Sequence, residues 1–595
     1  MERAAAVNGR RCLRPLWALL VALFLSPGAA AEDAAPYRGL LAPHAMPVVS
    51  EAPPTALLRG ESLPPSYGFV SEDGALRVTG QTPVKDQGAN GTCWAFSAMA
   101  AVEANMLLHG VGGDAPDLSE AHMIYALRRF GATKTDLSNT AQGYAYDPAE
   151  AGNIEYAASY LMRGTALGGT LTEDADPYTY LSRGIPGRAV EETARLGESK
   201  AYTVENIPII LGEKTAVYDG SDEAALREAD AVKRAVMEYG AVSTSLYWRV
   251  TAANYHAETG AYYAPGGTAP NHAITIVGWD DAYGAERFAK TPPADGAWLV
   301  KNSWGVGDGQ GVDGSGYYWV SYCDPLIGAL SYAVDGVHPY DANELVHEYD
   351  YRVDETLTSD YGYVVAFPRR TAAERVEAVR VFLFTAGTFD VSVCTAYTPG
   401  AADAVEEQAF THRQTVTMDR PGFYTVALDE PALIDGDWFA VRLDLASRAT
   451  RLYTYAPDAA PMLSGADGTY DAVFRRTRRD GVWQGMSELG EQGFVPCIKA
   501  VTRDLTGNRR FSFTAVEPEE DGVLVRVDTD MARPVLLAAA VYRSGRLEDF
   551  AAQTAALRAE GGSYRLSIAA DEGAEIAVFA LDPETLAPIA KSVSR

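Results

Sequence analysis

The feature that most constrains the fold of this chain is a turn of small residues followed by a long apolar run, residues 87–108. The run from Trp94 to Leu108 contains no proline and repeats apolar residues at helical spacing, so it predicts a helix with Cys93 in its first turn. The positive end of the helix dipole favours the thiolate, which is the nucleophilic form of cysteine. An isolated cysteine, however, is more often a small buried hydrophobe.

Two distant segments offer partners for this cysteine. His272 begins a β-branched, strand-like run, and Asn302 follows a second such run. A histidine can accept a thiol proton, and an asparagine oxygen can hold the imidazole in the required tautomer. The side chain of Gln87 and the backbone N–H of Cys93 would supply the two donors of an oxyanion hole. Trp304 would keep water away from the hydrogen bond between the asparagine and the histidine.

In these segments the chain resembles the papain-like cysteine peptidases. The matching residues occur in the family's order, and they are Gln87, Cys93-Trp94-Ala95-Phe96, Asn271-His272-Ala273 and Asn302-Ser303-Trp304-Gly305. The resemblance implies an α+β peptidase domain with a catalytic triad of Cys93, His272 and Asn302, and with Gln87 as an oxyanion donor. The chain departs from the family at Asn90, where most members have a structural cysteine three residues before the nucleophile.

The resemblance also implies five substrate-binding residues. Gly152 and Asn153 fall where the family's glycine-rich wall pairs its backbone with the substrate, although Gly152 is equally compatible with a simple helix-entry turn. Ser245 and Ala273 correspond to the pocket for the second side chain on the acyl side of the cleaved bond. Trp304 completes the predicted set.

The first 31 residues have the pattern of a secretory signal peptide. Several arginines precede a short apolar core, Leu16 to Leu25, and small residues precede the predicted cleavage before Glu32. An uncleaved anchor is less favoured, because the core has about ten residues whereas a span needs about 20. We expect no membrane span in the mature chain. The formal net charge of −29 argues against nucleic acids and anionic membranes as partners and is consistent with a secreted or cell-surface protein.

A length of 595 residues suggests several domains. We predict a short pro-segment or linker at 32–62 and the peptidase domain at 63–335. Short runs with period-2 alternation predict an antiparallel β-sandwich at 336–504, similar to the lectin-like domain that follows the peptidase in secreted bacterial relatives. A smaller, immunoglobulin-like β domain is predicted at 505–595. The predicted fold class is therefore an α+β papain-like domain followed by two all-β sandwich domains.

The predicted function is that of a secreted cysteine endopeptidase acting on proteins or peptides without a cofactor. The alternative is a surface adhesin with an inert peptidase fold, and a cell-wall amidase is a third class that lacks the Gln87-to-Cys93 spacing. Cell-surface glycans are a candidate partner of the β domains, through aromatic residues such as Tyr453, Tyr455 and Trp483.

No metal site is predicted, because Asp308 and Asp313 do not have the spacing of a calcium-binding EF-hand loop. Cys394 and Cys497 both lie in strand-like runs, so they could form a disulfide or remain free thiols.

Overall fold

The structure of the chain is a computed structural model. It describes residues 62–594 apart from 73–74, 128–151, 165–167, 180–198, 212–222, 351–353, 359–360, 372, 446–451, 456–470, 477–480, 486–494, 506–510, 520–521, 530–533, 544–545, 557–561, 569–574 and 582–587. The predicted signal peptide and nearly all of the predicted pro-segment therefore lie outside the described residues. The sequence also suggests inserted polar segments at 131–150 and 183–202, and all of the first and most of the second lie outside them as well. Most described residues up to Pro339 form one compact unit, and most of those from Tyr340 onward form a second.

The first unit contains four helices: α1 (Cys93–His109), α2 (Glu120–Ala126), α3 (Ile154–Leu161) and α4 (Glu223–Tyr239). Every residue of α1 from Cys93 to Met106 is buried. A helix that is apolar on all sides belongs in the core, as the run from Trp94 to Leu108 indicates. The helix predicted to begin with Cys93 is thus confirmed, and it ends at Gly110 in the left-handed conformation, with φ of 67°.

Side-chain caps fix the starts of α2 and α3. The Ser119 hydroxyl accepts the His122 N–H at 3.1 Å, and the side-chain oxygen Oδ1 of Asn153 accepts the Tyr156 N–H at 3.0 Å. Each bond satisfies one of the N–H groups that a helix start leaves unpaired. A serine cap followed by Glu120 is the sequence pattern of a helix start, and α2 begins at this place.

The strands of the first unit are β1 (Ser66–Tyr67), β2 (Phe69–Glu72), β3 (Ala75–Val78), β4 (Tyr202–Leu211), β5 (Val242–Leu246), β6 (Tyr255–His256), β7 (Ala261–Tyr262), β8 (His272–Asp280), β9 (Ala297–Lys301), β10 (Tyr317–Ser321), β11 (Leu330–Tyr332) and β12 (Asp335–Pro339). The antiparallel partners of β8 include β5 and β9, and β10 pairs with the other edge of β9. Thr275 pairs with Lys301, and this register brings the end of β9 beside the start of β8. The two strand-like runs that carry His272 and Asn302 therefore meet at one end of the sheet.

Several strands of this unit were not predicted, and β4, β11 and β12 are examples. β4 pairs with both β11 and β12, which follow it by more than a hundred residues. A proline at position 208 and polar residues obscure the strand pattern of β4. Val204 and Ile207 are buried because distant strands pack on β4, and the local sequence pattern does not reveal those strands.

The second unit begins with the strands β13 (Glu344–His347), β14 (Asp354–Thr358), β15 (Gly362–Pro368), β16 (Glu374–Leu383), β17 (Gly387–Cys394), β18 (Thr411–Met418), β19 (Gly422–Leu433), β20 (Trp438–Leu445), β21 (Leu452–Tyr455), β22 (Val473–Arg476), β23 (Trp483–Gly485), β24 (Val495–Pro496) and β25 (Ile498–Asp504). One antiparallel sheet has the order β18-β17-β20-β15-β22-β23, and a second includes β13, β25, β16, β21 and β24. One apolar cluster takes residues from both sheets, including Val379, Phe389, Val441 and Ile498. The predicted antiparallel β-sandwich is confirmed.

The C-terminal strands are β26 (Phe511–Glu519), β27 (Gly522–Thr529), β28 (Pro534–Arg543), β29 (Arg546–Ala556), β30 (Gly562–Leu566), β31 (Glu575–Leu581) and β32 (Pro588–Ser594). They form a three-stranded sheet, β26-β27-β30, and a four-stranded sheet, β29-β28-β31-β32. A common core with Val525, Leu537 and Val578 joins the two sheets. Within the described part of the chain, no helix is long and apolar enough to span a bilayer.

Candidate active site

The helix α1 brings Cys93 to the start of strand β8. Cys93 is the first residue of the helix, and its Sγ accepts a hydrogen bond from the backbone N–H of Ala273 at 3.4 Å. The donor belongs to the residue that follows His272, so the sulfur lies next to the backbone of the predicted base. The structure thus brings together residues that are 179 positions apart in the sequence.

His272 and Asn302 are joined by a direct hydrogen bond. The distance from His272 Nε2 to Asn302 Oδ1 is 2.8 Å. The same oxygen accepts the backbone N–H of Ser303 at 2.8 Å, which fixes the amide orientation with Oδ1 toward the imidazole. This bond places the Nε2 proton between the two side chains and orients the imidazole ring.

Two tryptophans enclose the imidazole. The ring of Trp304 stacks on His272, with centroids 4.5 Å apart and an interplanar angle of 21°, as expected for a residue that shields the histidine. Trp248 was not predicted as a site residue. Its ring centroid lies 5.9 Å from that of His272 and 5.4 Å from that of Trp304. The Asn271 side chain bonds both the N–H and the C=O of Trp248, at 2.7 and 3.1 Å, and so ties this ring to the residue before His272.

Gln87 is held in a turn without a disulfide. Its Nε2 donates to the carbonyl of Asn90 at 2.6 Å, and its Oε1 accepts the Ser303 hydroxyl at 2.6 Å. Its backbone N–H also donates to the Ser303 carbonyl at 2.8 Å, and its carbonyl accepts the Tyr178 hydroxyl at 2.9 Å. Hydrogen bonds therefore fix the turn at the place where Asn90 stands instead of the family's cysteine.

The site is closed to solvent. Cys93 is 0 % exposed, His272 1 % and Asn302 4 %. Burial raises the pKa of the Cys93 thiol to about 12, although three backbone N–H groups oppose this shift. Burial lowers the pKa of His272 to about 4, against the opposing effect of its bond to Asn302. In this conformation desolvation therefore disfavours the thiolate that the helix start is expected to favour.

The comparisons with known proteins agree with this arrangement. A family model described as papain family cysteine protease matches residues 73–323. The chain carries a papain-family cysteine protease domain.

Similar curated proteins match less than half of this chain. Germination-specific cysteine protease 1 of Arabidopsis thaliana is 26 % identical over 253 residues, which are 42 % of this chain and 51 % of the relative. Cathepsin K of Gallus gallus is 29 % identical over 227 residues, which are 38 % of this chain and 52 % of the relative. The chain thus spans about half the length of the curated relatives that it matches.

Two solved structures resemble a larger part of the chain. The Clostridial cysteine protease Cwp84 after propeptide cleavage has a TM-score of 0.55 at 22 % identity and covers 71 % of this chain and 96 % of its own. The cysteine protease and lectin-like domains of Cwp84, a surface layer associated protein of Clostridium difficile, have a TM-score of 0.52 at 22 % identity, with 71 % and 86 % coverage. The likeness confirms the predicted fold class, in which a papain-like domain precedes β-sandwich structure.

Gly152 and Asn153 have structural roles beside the site. A Cβ at Gly152 would lie 2.3 Å from the ring of Trp94, so only glycine allows the chain to pass over this tryptophan. The Asn153 side chain is buried and caps α3, as described above. The proposed role of these two residues in substrate binding therefore rests on their backbone.

Ser245 and Ala273 form a cross-strand pair between β5 and β8. Ala273 is buried and donates to Cys93 Sγ, whereas Ser245 is partly exposed. The pair thus lies next to the sulfur, and its role in substrate binding remains a prediction.

A buried ionic cluster, which the sequence reasoning missed, lies behind the site. Lys85 Nζ is 2.8 Å from a carboxylate oxygen of Glu103 and 3.0 Å from one of Glu120. Lys301 Nζ donates to the Thr82 hydroxyl at 2.8 Å, and that hydroxyl donates in turn to Glu103. The signal was a glutamate inside the apolar run of α1 and a lysine at the end of a buried strand, since a buried charge requires a partner.

Cys394 and Cys497 are buried free thiols, so the disulfide alternative is wrong. Trp483 is also buried, and its indole N–H donates to Glu406 at 2.8 Å, so it belongs to the sandwich rather than to a sugar-binding surface. The side chains of Tyr453 and Tyr455 lie outside the described residues. Within the described ranges, no three His, Cys, Asp or Glu side chains are grouped to hold a metal ion.

Proposed function

We propose that the chain is a secreted cysteine endopeptidase that hydrolyses peptide bonds through Cys93, His272 and Asn302. The observation that carries the proposal is the 2.8 Å bond between His272 and Asn302, directly beside the sulfur that accepts the Ala273 N–H. A buried cysteine with only a packing role would not require an adjacent, oriented imidazole. The same arrangement disfavours the adhesin alternative, in which these three side chains would have no chemical task.

In the proposed mechanism, His272 accepts the thiol proton of Cys93 at Nδ1 as the sulfur attacks the carbonyl carbon of the substrate. Asn302 keeps the Nε2 proton of the imidazole in place. The imidazolium then protonates the leaving amine, and a thioester remains on the sulfur. His272 next removes a proton from water, which attacks the thioester and releases the acid and the free thiol.

The oxyanion of each tetrahedral intermediate is proposed to rest between two N–H donors. One is the backbone N–H of Cys93, and the other is the Gln87 amide. Since one Gln87 N–H is donated to Asn90, the second N–H of the same group would serve the oxyanion. The Ser303 hydroxyl supports this assignment, because it donates to Gln87 Oε1 and so fixes which end of the amide is the oxygen and which is the N–H donor.

The closed site implies a requirement for substrate access. Because Cys93 and His272 are buried, residues around them must move before a peptide can reach the sulfur. Secretion and a glycan partner for the β domains remain parts of the proposal. They are supported by the signal-like N-terminus and by the likeness to a surface layer associated protein.

The direct test uses purified protein that lacks residues 1–31. It should cleave unfolded protein under reducing conditions, and an epoxide inhibitor of papain-like enzymes should label Cys93, as located by peptide mass spectrometry. Cys93→Ala should abolish both, whereas Cys323→Ala is the matched control because Cys323 is a buried thiol of the same domain. If wild type and Cys93→Ala were equally inactive and unlabelled, the endopeptidase proposal would be wrong and the adhesin alternative would stand.

A further inference from the structure

A small cavity, lined by both apolar and polar residues, lies between the ionic cluster and Asn302. Its volume is about 20 Å³, which holds about one water molecule. Its walls include both ends of the connection, namely Asn302 and Ser303 on the catalytic side and Lys85, Glu103, Glu120 and Lys301 on the ionic side. A water is stable in a buried cavity when two or more polar groups can bond to it, and this cavity meets that condition.

Two residues that line this cavity each have a buried polar atom without a hydrogen-bond partner among the described residues. These atoms are Nδ2 of Asn302 and Oε2 of Glu120. Both side chains are more than nine-tenths buried. Leaving a buried donor and a buried acceptor unpaired is unfavourable, and one molecule that bonded to both would satisfy them together.

The remaining bonds of the two side chains fix their orientations. Asn302 Oδ1 is bound to His272 Nε2 and to the Ser303 N–H, so its Nδ2 is the end of the amide away from the imidazole. Glu120 Oε1 is bound to Lys85 Nζ at 3.0 Å. In each side chain one polar atom is therefore held by hydrogen bonds, and the other polar atom is the unpaired one.

We propose that the cavity holds an ordered water that bonds to both Asn302 Nδ2 and Glu120 Oε2, so that Glu120 is a positioning residue for the catalytic His272–Asn302 pair. The water can accept from the amide and can either donate to or accept from the carboxyl group. Glu120 thereby acts on His272 only through Asn302. The inference rests on the proposed peptidase function for its kinetic consequences, but not for the water itself.

The structural test does not depend on activity or on any change at Glu120. A crystal structure of the full chain carrying Cys93→Ala, at a resolution that shows ordered water, should have a water within 3.2 Å of both Asn302 Nδ2 and Glu120 Oε2, the usual limit for such bonds. A dry cavity would overturn the proposal, even if the protein proved to be an active peptidase.

The kinetic test is a double-mutant cycle on hydrolysis of a peptide amide. Loss of the water contact in E120A should lower kcat about tenfold with little change in KM, because the imidazole is less well oriented. In an N302A background, E120A should have almost no further effect, since its path to His272 is already broken. E120Q keeps the shape and the hydrogen-bonding capacity of the side chain, so it should restore most of the loss.

The matched control is E103A. Glu103 contacts the same Lys85, but both of its oxygens already have partners, namely Lys85 and the Leu118 N–H for one and the Thr82 hydroxyl for the other. Its effect should be the same with and without N302A. If E120A also acted equally in both backgrounds, or if E120Q were as damaging as E120A, Glu120 would serve only to balance Lys85 and the proposal would be wrong.

Discussion

Ser303→Ala tests whether Ser303 positions the predicted oxyanion donor. The change removes the 2.6 Å bond from the Ser303 hydroxyl to Gln87 Oε1. The backbone bond between Gln87 N–H and the Ser303 carbonyl, at 2.8 Å, does not depend on the hydroxyl and should persist. The turn should therefore remain in place while the amide gains rotational freedom.

The size of the effect follows from the value of one hydrogen bond. A net contribution of about 0.5–1.5 kcal/mol corresponds to a two- to tenfold lower kcat. By comparison, Gln87→Ala removes the donor itself and should lower kcat by about 10²–10³. Ser303→Ala should therefore fall well short of Gln87→Ala, and it should have no further effect once Gln87 is alanine.

The assay is steady-state cleavage of a fluorogenic peptide amide by the two single variants and the double variant, with thermal unfolding measured in parallel. Ser321→Ala is the control, because Ser321 is a fully buried serine of the same domain whose hydroxyl accepts the Cys323 N–H, away from the site. A Ser303→Ala variant as slow as Gln87→Ala, or one that slows the Gln87→Ala enzyme by the same factor again, would refute the reasoning.

Three further predictions concern packing, shielding and pH. Gly152→Ala should lower the free energy of urea unfolding by about 1–3 kcal/mol. Gly266→Ala is the control, because a Cβ there would meet nothing within 4 Å, and it should change this free energy by less than about 0.5 kcal/mol. Equal effects would contradict the packing argument. Trp304→Leu removes the ring stacked on His272, so it should lower kcat about tenfold. It should also move the acidic limb of the kcat–pH profile to higher pH, because a more exposed imidazole has a higher pKa. An unchanged pH profile would exclude the shielding role. Burial raises the pKa of Cys93 to about 12, so alkylation of this residue in the closed form should rise about tenfold per pH unit from pH 5 to 9; a plateau on the acidic side would instead indicate a preformed thiolate.

The sequence predicted the elements whose pattern is local. The apolar run after Cys93 is long and contains no proline, so α1 was predictable, and the start of α2 at Ser119 was visible from a cap residue followed by a glutamate. The motif segments at 87–96, 271–273 and 302–305 also named the residues that the structure joins by hydrogen bonds. These features depend on neighbours within a few positions.

The features that escaped prediction depend on contacts between distant segments. β4 is a strand because β11 and β12 return to it, and nothing between residues 202 and 211 indicates that return. Trp248 lies beside His272 because the side chain of Asn271, the residue before His272, forms hydrogen bonds with the backbone of Trp248. The buried carboxylate of Glu103 is satisfied by Lys85, by the Thr82 hydroxyl and by the Leu118 N–H, all of which lie outside its helix. Sequence spacing identifies none of these pairs.

Burial connects access to the site with the reactivity of the site. Burial raises the pKa of Cys93 and lowers that of His272, and both shifts favour the neutral thiol and the neutral imidazole in this conformation. Both shifts have the same first cause, which is desolvation, so a movement that admits solvent or a polar peptide returns both values toward their ordinary levels of about 8.5 and 6.5. In the proposed mechanism, such a change would make proton transfer from Cys93 to His272 easier. The hydrogen bond from His272 to Asn302 is made within the protein, so we expect it to keep the imidazole oriented during that change.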